Sequence, residues 1–310
     1  MGFKNTLIGF WEIEKEPVRL GSLCIFISNV QSYIKLKDLC LGKFALIGTN
    51  AEISSLTGID NIKTDLLLRH DLHGHWLGML FDALDLDCIH IYNSSQDFFS
   101  RHEHQVLFPN KEICQAANIT GNLYDTTQIA SLLYRESGET PYADFNKHSA
   151  EVGFFRDMKF NKPTISLHLK NAQKGDTESN ANFSIWKEFI ESDEASGVQF
   201  LLIGSDEVPE EITSLSNVTS LNTRGLSIAE QLACIQNSSA FMGMASGPAN
   251  SAILSTVPYI IFKHPLHHAE AMRKEIGDAD HYDFSQENQK IVREYETSDR
   301  LHEFLGDILK

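Results

Sequence analysis

Ala240-Phe-Met-Gly-Met-Ala-Ser-Gly-Pro-Ala-Asn-Ser-Ala-Ile-Leu254, followed two residues later by Val257-Pro-Tyr-Ile-Ile-Phe262, decides how the chain is read. The run Ala240 to Met244 is apolar and short, as a buried strand is. Pro248, whose fixed φ suits the first turn of a helix, opens a helical stretch to Leu254, and Pro258 to Phe262 is again a strand. Strand, helix, strand at this length is a βαβ unit, and its crossover makes the two strands parallel. In open parallel sheets ligands bind outside the carboxyl ends of the strands, here at the turn Gly243 to Asn250. The spacing predicts free N–H groups on Ser246, Gly247, Ala249 and Asn250 at a helix N-terminus, where phosphate is the natural guest. A plain strand-to-helix turn fits the same spacing. The turn is neither a Walker loop nor a Gly-x-Gly-x-x-Gly fingerprint.

Working backwards, Ser227 to Gln236 reads as a helix with Ser227 and Glu230 at capping-box spacing, and Asn217 to Asn222 as a short strand. Val198 to Gly204 and Pro163 to Leu169 are strands flanking a helix, Phe183 to Ser192. Three more strand ends follow. After the first, alternation puts His168 and Lys170 on one side, aimed with Asn171 at the ligand edge, although a solvated Lys beside a satisfied His fits as well. Gly204, Ser205 and Asp206 form the second, which also reads as a simple turn. Arg224 and the backbone of Leu226 share the third, with Arg224 a candidate phosphate partner. Beyond the unit, Gln286 to Leu309 is charged and reads as helical.

The N-terminal half begins with a strand, Thr6 to Ile13, a helix from Leu20 that ends in Lys35 and Lys37, and a strand, Lys43 to Gly48. A helix around His75 to Leu84, a strand Cys88 to Tyr92 and a helix Thr126 to Arg135 follow. Asn93 to Asn122 carries no clear pattern. The polar stretch Glu136 to Asn161, with Gly and Pro, marks a boundary, so the chain reads as two domains, 1–150 and 151–310. The class is α/β, with two doubly wound domains.

Leu226 to Leu254, with Val257-Pro-Tyr259, resembles the donor-binding domain of GT-B glycosyltransferases, and the heptosyltransferase-like and fucosyltransferase-like groups in particular. The resemblance implies two Rossmann-like domains with a cleft between them, an N-terminal acceptor domain and a C-terminal nucleotide-sugar domain. It implies donor-diphosphate contacts for Ser246, Gly247 and Pro248, with Asn250 at the same loop. His168-Leu-Lys170 is similar to the His-x-Arg element of the fucosyltransferase-like enzymes. Leu20-Gly21-Ser22-Leu23 occupies the place of the Leu-Gly-Asp element of heptosyltransferases, with Ser22 where that element has an acid. The implied activity is sugar transfer from a nucleotide sugar to a glycan or glycolipid hydroxyl, with no metal and no cofactor, in polysaccharide or lipopolysaccharide synthesis in the cytoplasm. A nucleotide-sugar 2-epimerase and an inactive nucleotide-sugar-binding protein are the rivals.

Of 310 residues, 42 are Asp or Glu and 26 Lys or Arg, a formal charge of -16 that repels nucleic acid and anionic lipid. No apolar run approaches the roughly 20 residues of a bilayer span, which leaves peripheral membrane contact as the one membrane role. No secretion signal is visible at the N-terminus. The five cysteines have no Cys-x-x-Cys spacing and read as reduced core residues. His70, His73, His75, His102, His104, His264, His267 and His268 lack zinc spacing and read as surface or loop histidines. Asp71, His73 and His75, just before a helix, are the candidate bases of the N-terminal domain. A Ser-His-Asp hydrolase is disfavoured because Gly-x-Ser-x-Gly is missing.

Overall fold

The computed structural model describes residues 5–60, 62, 65–119, 123, 124, 126–145, 162–175 and 177–309. The chain forms two compact units, Met1–Asp144 and Phe145–Lys310. Residues 146–161, most of the expected linker, lie outside the described residues.

In the first unit, β1 (Thr6–Glu12), α1 (Leu20–Lys37) and β2 (Cys40–Ile47) form the expected βαβ start. There follow α2 (Asn50–Thr57), β3 (Leu66–Leu68), α3 (Met79–Ala83), β4 (Cys88–Tyr92), α4 (Ser95–Arg101), β5 (Val106–Phe108), α5 (Lys111–Ala116) and α6 (Gln128–Ser137). The sheet order is β3-β4-β2-β1-β5, parallel except for the edge strand β3, which runs antiparallel to β4. Helix α1 is buried continuously from Ser22 to Val30. It packs on α6 as well as on the sheet, so it shows no wide polar face. Trp11 stacks on Tyr124 with ring centroids 4.4 Å apart, and Phe26 lies edge-on to Trp11 and Phe44.

Three short elements fill the stretch that carries no clear pattern in the sequence. Their signals are caps, because Ser94 accepts the Asp97 N–H and Asn110 the Ile113 N–H. Strand β5 has only three residues, too few for alternation to show. The helix expected over His75 to Leu84 is shorter: a 3-10 turn, Trp76–Gly78, leads into α3.

In the second unit the strands are β6 (Thr164–His168), β7 (Gln199–Leu202), β8 (Val218–Ser220), β9 (Ala240–Met244), β10 (Tyr259–Phe262) and β11 (Gln289–Val292). All pairings are parallel, in the order β11-β10-β9-β6-β7-β8. Counted from β6 this is the doubly wound Rossmann order, which reverses direction between β6 and β9. The core joins Ile165, Leu167, Phe200 and Met242 of the sheet to Trp186 and Phe189 of the helix Phe183–Ile190.

The C-terminal reading needs correction. Gln289–Val292 is an edge strand beside β10, with Gln289 and Ile291 buried, and only Ser298–Ile308 is helical. Charge along this stretch hides the alternation of a four-residue strand. The cysteine reading also changes. Cys24 and Cys234 are buried, but Cys40 is exposed and Cys88 and Cys114 are half-buried, all five being free thiols. Burial pushes the Cys234 thiol up to about 12.

Candidate functional site

The strand order of the second unit sets where side chains can meet. At its reversal, β6 and β9 lie side by side with His168 opposite Gly243. A Cβ at Gly243 would sit 2.3 Å from the His168 carbonyl oxygen, so only glycine permits this approach. On the other flank, a Cβ at Gly204 would lie 3.0 Å from the His168 ring. Gly204 leaves room for the imidazole, which is 2% exposed, and Gly243 for the backbone that carries it.

A buried ring needs partners for both nitrogens. His168 Nδ1 lies 3.1 Å from Ser246 Oγ, in the turn after β9. Nε2 lies 3.3 Å from Asp206 Oδ2, in the turn after β7. Asp206 Oδ1 accepts the Asn171 N–H at 2.9 Å, and Asn171 Nδ2 donates to the Glu207 carbonyl at 2.5 Å. The hydrogen bond from His168 holds the Asp206 carboxyl below the usual carboxylate range, helped by the Asn171 N–H and by the charge of Lys170. Gln231, itself buried, accepts the Gly204 N–H at 2.7 Å and donates to the Leu226 carbonyl at 2.9 Å. Three strand ends and the turn before the helix Ile228–Asn237 are thereby joined.

Several sequence candidates meet here. His168, Asn171, Gly204 and Ser246 share one hydrogen-bonded cluster, and Leu226 joins it through Gln231. Pro248 is buried and precedes the helix Ala249–Ile253. The N–H groups of Ser246, Gly247 and Ala249 have no protein partner among the described residues. The Asn250 N–H is not free, contrary to expectation, since it donates to the Gly247 carbonyl at 3.2 Å as the turn closes. Lys170 lies beyond the end of β6, so strand alternation no longer governs it, and its ammonium donates to Ser179 Oγ. Ser205 and Arg224 are exposed, and Arg224 stands on the loop after β8, two strands from β6.

In the first unit, Gly21 and Ser22 sit in the first turn of α1, which has neither a side-chain cap nor an acidic residue there, and Ser22 is buried. Asp71, His73 and His75 follow β3, whose final residue Leu68 pairs with Cys88 at the start of β4. Because β3 is antiparallel, they leave from the amino edge of the sheet, opposite the carboxyl ends of the parallel strands. There Asp71 accepts the Leu68 N–H at 2.7 Å, and His75 Nδ1 accepts the Leu77 N–H at 3.2 Å with burial holding its pKa down.

The carboxyl edge instead carries Glu12, which the sequence analysis leaves unassigned. It ends β1, is 2% exposed, and accepts from Ser95 Oγ at 2.5 Å and Lys15 Nζ at 2.7 Å. Tyr124 OH accepts the Glu12 N–H at 3.1 Å, and burial pushes that phenol well above its ordinary range. A carboxylate closing an apolar strand is the one signal for it. Three histidines read as surface residues are buried: His102 contacts Tyr92 OH at 2.8 Å, His264 contacts Glu296 at 2.7 Å, and His267 is 6% exposed.

No protein-family model and no curated protein matches the chain. Solved structures do. The E. coli ADP-heptose lipopolysaccharide heptosyltransferase II is similar with a TM-score of 0.52 and 12% identity, over 99% of this chain and 98% of that one. The E. coli heptosyltransferase WaaC with ADP gives 0.49 and 11%, over 98% and 99%. A family 9 glycosyl transferase from Veillonella parvula DSM 2008 gives 0.48 and 9%, over 99% and 90%. The likeness is one of fold: the chain has the α/β GT-B fold of glycosyltransferases, with two Rossmann-like sheets.

Proposed function

We propose that the chain is a glycosyltransferase that moves a sugar from a nucleotide donor to an acceptor hydroxyl. The observation that carries the reading is the Ser246–His168 contact, which spans the strand-order reversal where doubly wound sheets bind nucleotides. A donor diphosphate on the turn Ser246-Gly247 would meet the N–H groups of Ser246, Gly247 and Ala249. Charge developing on the leaving diphosphate is then met by these fixed dipoles, with Lys170 and Arg224 as neighbouring cations. The reading requires Lys170 to leave Ser179 for the phosphate, and it assigns no step to a divalent ion. The first unit takes the acceptor, and a glycan or glycolipid precursor of a cell-surface polymer, made in the cytoplasm, is the proposed acceptor class. No helix among the described residues is long and apolar enough to cross a membrane.

Three observations favour a second reading, binding without transfer. Ser22 is buried, the first turn of α1 holds no acid, and Asp71, His73 and His75 leave from the amino edge. Calorimetric titration with UDP, GDP, ADP and CMP, with and without Mg2+, tests both readings at their shared step. Binding of one nucleotide supports the site, and turnover of the matching nucleotide sugar with acceptor extracts distinguishes transfer from binding alone. No binding at millimolar concentration overturns both.

A further inference from the structure

Resting on the donor-loop reading, we propose that Asp206 and His168 set the hydrogen-bond polarity of Ser246, so that a nucleoside diphosphate binding at Ser246-Gly247 draws one proton onto His168. Asp206 faces Nε2 and Ser246 faces Nδ1 of a ring that has almost no contact with water. An ionised carboxylate accepts, so in the singly protonated ring of the ligand-free site Nε2 carries the proton and Nδ1 offers a lone pair. Ser246 must then spend its O–H on Nδ1 and shows only lone pairs to the loop. A phosphate oxygen is also an acceptor and is repelled by that arrangement. A second proton, taken from solvent onto Nδ1, reverses it: Nδ1–H donates to Ser246 Oγ, and the Ser246 O–H turns to the phosphate. The charged and titratable groups around the ring are Asp206, from the turn after β7, and Lys170, which acts on Asp206 from two residues beyond His168. The turn after β9 contributes Ser246, the backbone at Gly204 packs on the ring, and Gly243 packs on the His168 backbone.

The geometry singles out one substitution. In Asp206→Asn the side-chain oxygen stays on the Asn171 N–H, where Oδ1 now accepts, so the new NH2 faces Nε2. The amide donates, the ring proton moves to Nδ1, and the Ser246 O–H is free for the ligand without any proton uptake. Asp206 and His168 are thus positioning residues that act through Ser246.

The test combines nitrogen NMR of the histidine rings with calorimetry of the tightest-binding of UDP, GDP and ADP in buffers of different ionisation enthalpy. Measurements run above about pH 7.5, where a terminal phosphate with a second pKa of about 6 is fully ionised. The wild-type protein should show the Nε2–H tautomer, uptake of close to one proton per nucleotide, and affinity that falls by up to about tenfold per pH unit. Asp206→Asn should show the Nδ1–H tautomer, no uptake, a flat pH profile and affinity at pH 8.5 no weaker than wild type. Ser246→Ala should also lose the uptake, which keeps the test decisive if Asp206→Asn fails to fold. Tight binding by the wild type without uptake, or equal uptake in either variant, overturns the inference and leaves the donor reading standing. Failure of every nucleotide to bind overturns the donor reading and the coupling with it, while an Nδ1–H tautomer in the wild type overturns the assignment of polarity by itself.

Discussion

At the scale of single residues, Asp206 ties the site to pH. Its carboxyl is held below the usual carboxylate range in the folded chain, so the unfolded chain binds the proton more readily and stability rises with pH. The contribution is complete above about pH 5 and is lost as pH falls through the lowered folded value. Urea melts between pH 2 and 5 should therefore show a shallower pH slope for Asp206→Asn than for wild type. Gly243→Ala places a methyl 2.3 Å from a backbone oxygen that cannot yield without opening β6 from β9. A loss of about 2 kcal/mol or more is expected in the same melts. Lys170→Ala removes a charged donor from the buried Ser179 hydroxyl and should cost about 1 kcal/mol in the melt, and it should reduce donor affinity and kcat/KM about tenfold or more. Unchanged kinetics would remove Lys170 from the site.

Among elements, the turn between β6 and the helix Phe183–Ile190 depends on a buried pair distant in sequence. His264, just past β10, contacts Glu296 Oε2 at 2.7 Å and the Glu178 carbonyl at 2.8 Å. Glu296 Oε1 accepts the Asn182 N–H at 2.6 Å and Trp186 Nε1–H at 3.2 Å. Both side chains are almost fully buried. Glu296→Ala strands three donors away from water, and a loss of about 3–5 kcal/mol in chemical denaturation is expected. This pair was not legible in the sequence, where His264 and Glu296 lie in unremarkable loops 32 residues apart. The β-α alternation from Pro163 to Phe262 was legible, because each buried strand is an apolar run closed by Gly, Asn or Pro. Strand β11 and the elements between Asn93 and Asn122 were not, being three to seven residues long and defined by caps or by pairing with a neighbour.

On the scale of the whole molecule, the strand orders separate what sequence can tell from what it cannot. Strand ends can be read one by one, which is how His168 and Ser246 became candidates, but their adjacency depends on β6 and β9 being neighbours. Asp206, at a strand end that can be read in the same way, meets His168 only through that order, and Gln231 enters the site only through it. The antiparallel turn of β3 likewise carries Asp71, His73 and His75 to the amino edge, a reversal that three leucines do not announce. A formal charge of -16 means that any anionic donor is held by local dipoles and cations against the general field. Added salt should therefore speed nucleotide association, and polynucleotides should not be retained at 0.15 M salt; tight, salt-sensitive polynucleotide binding would contradict this.

The central claim is that the turn after β9 binds the donor diphosphate through backbone N–H groups. Titrating 15N-labelled protein with UDP, GDP and ADP while following the amide resonances of Ser246, Gly247 and Ala249 tests it most directly. The account predicts that one nucleotide shifts these three amides saturably and most strongly, with His168 ring signals moving in step. Saturable binding that leaves the three amides in place while perturbing another strand end would contradict it.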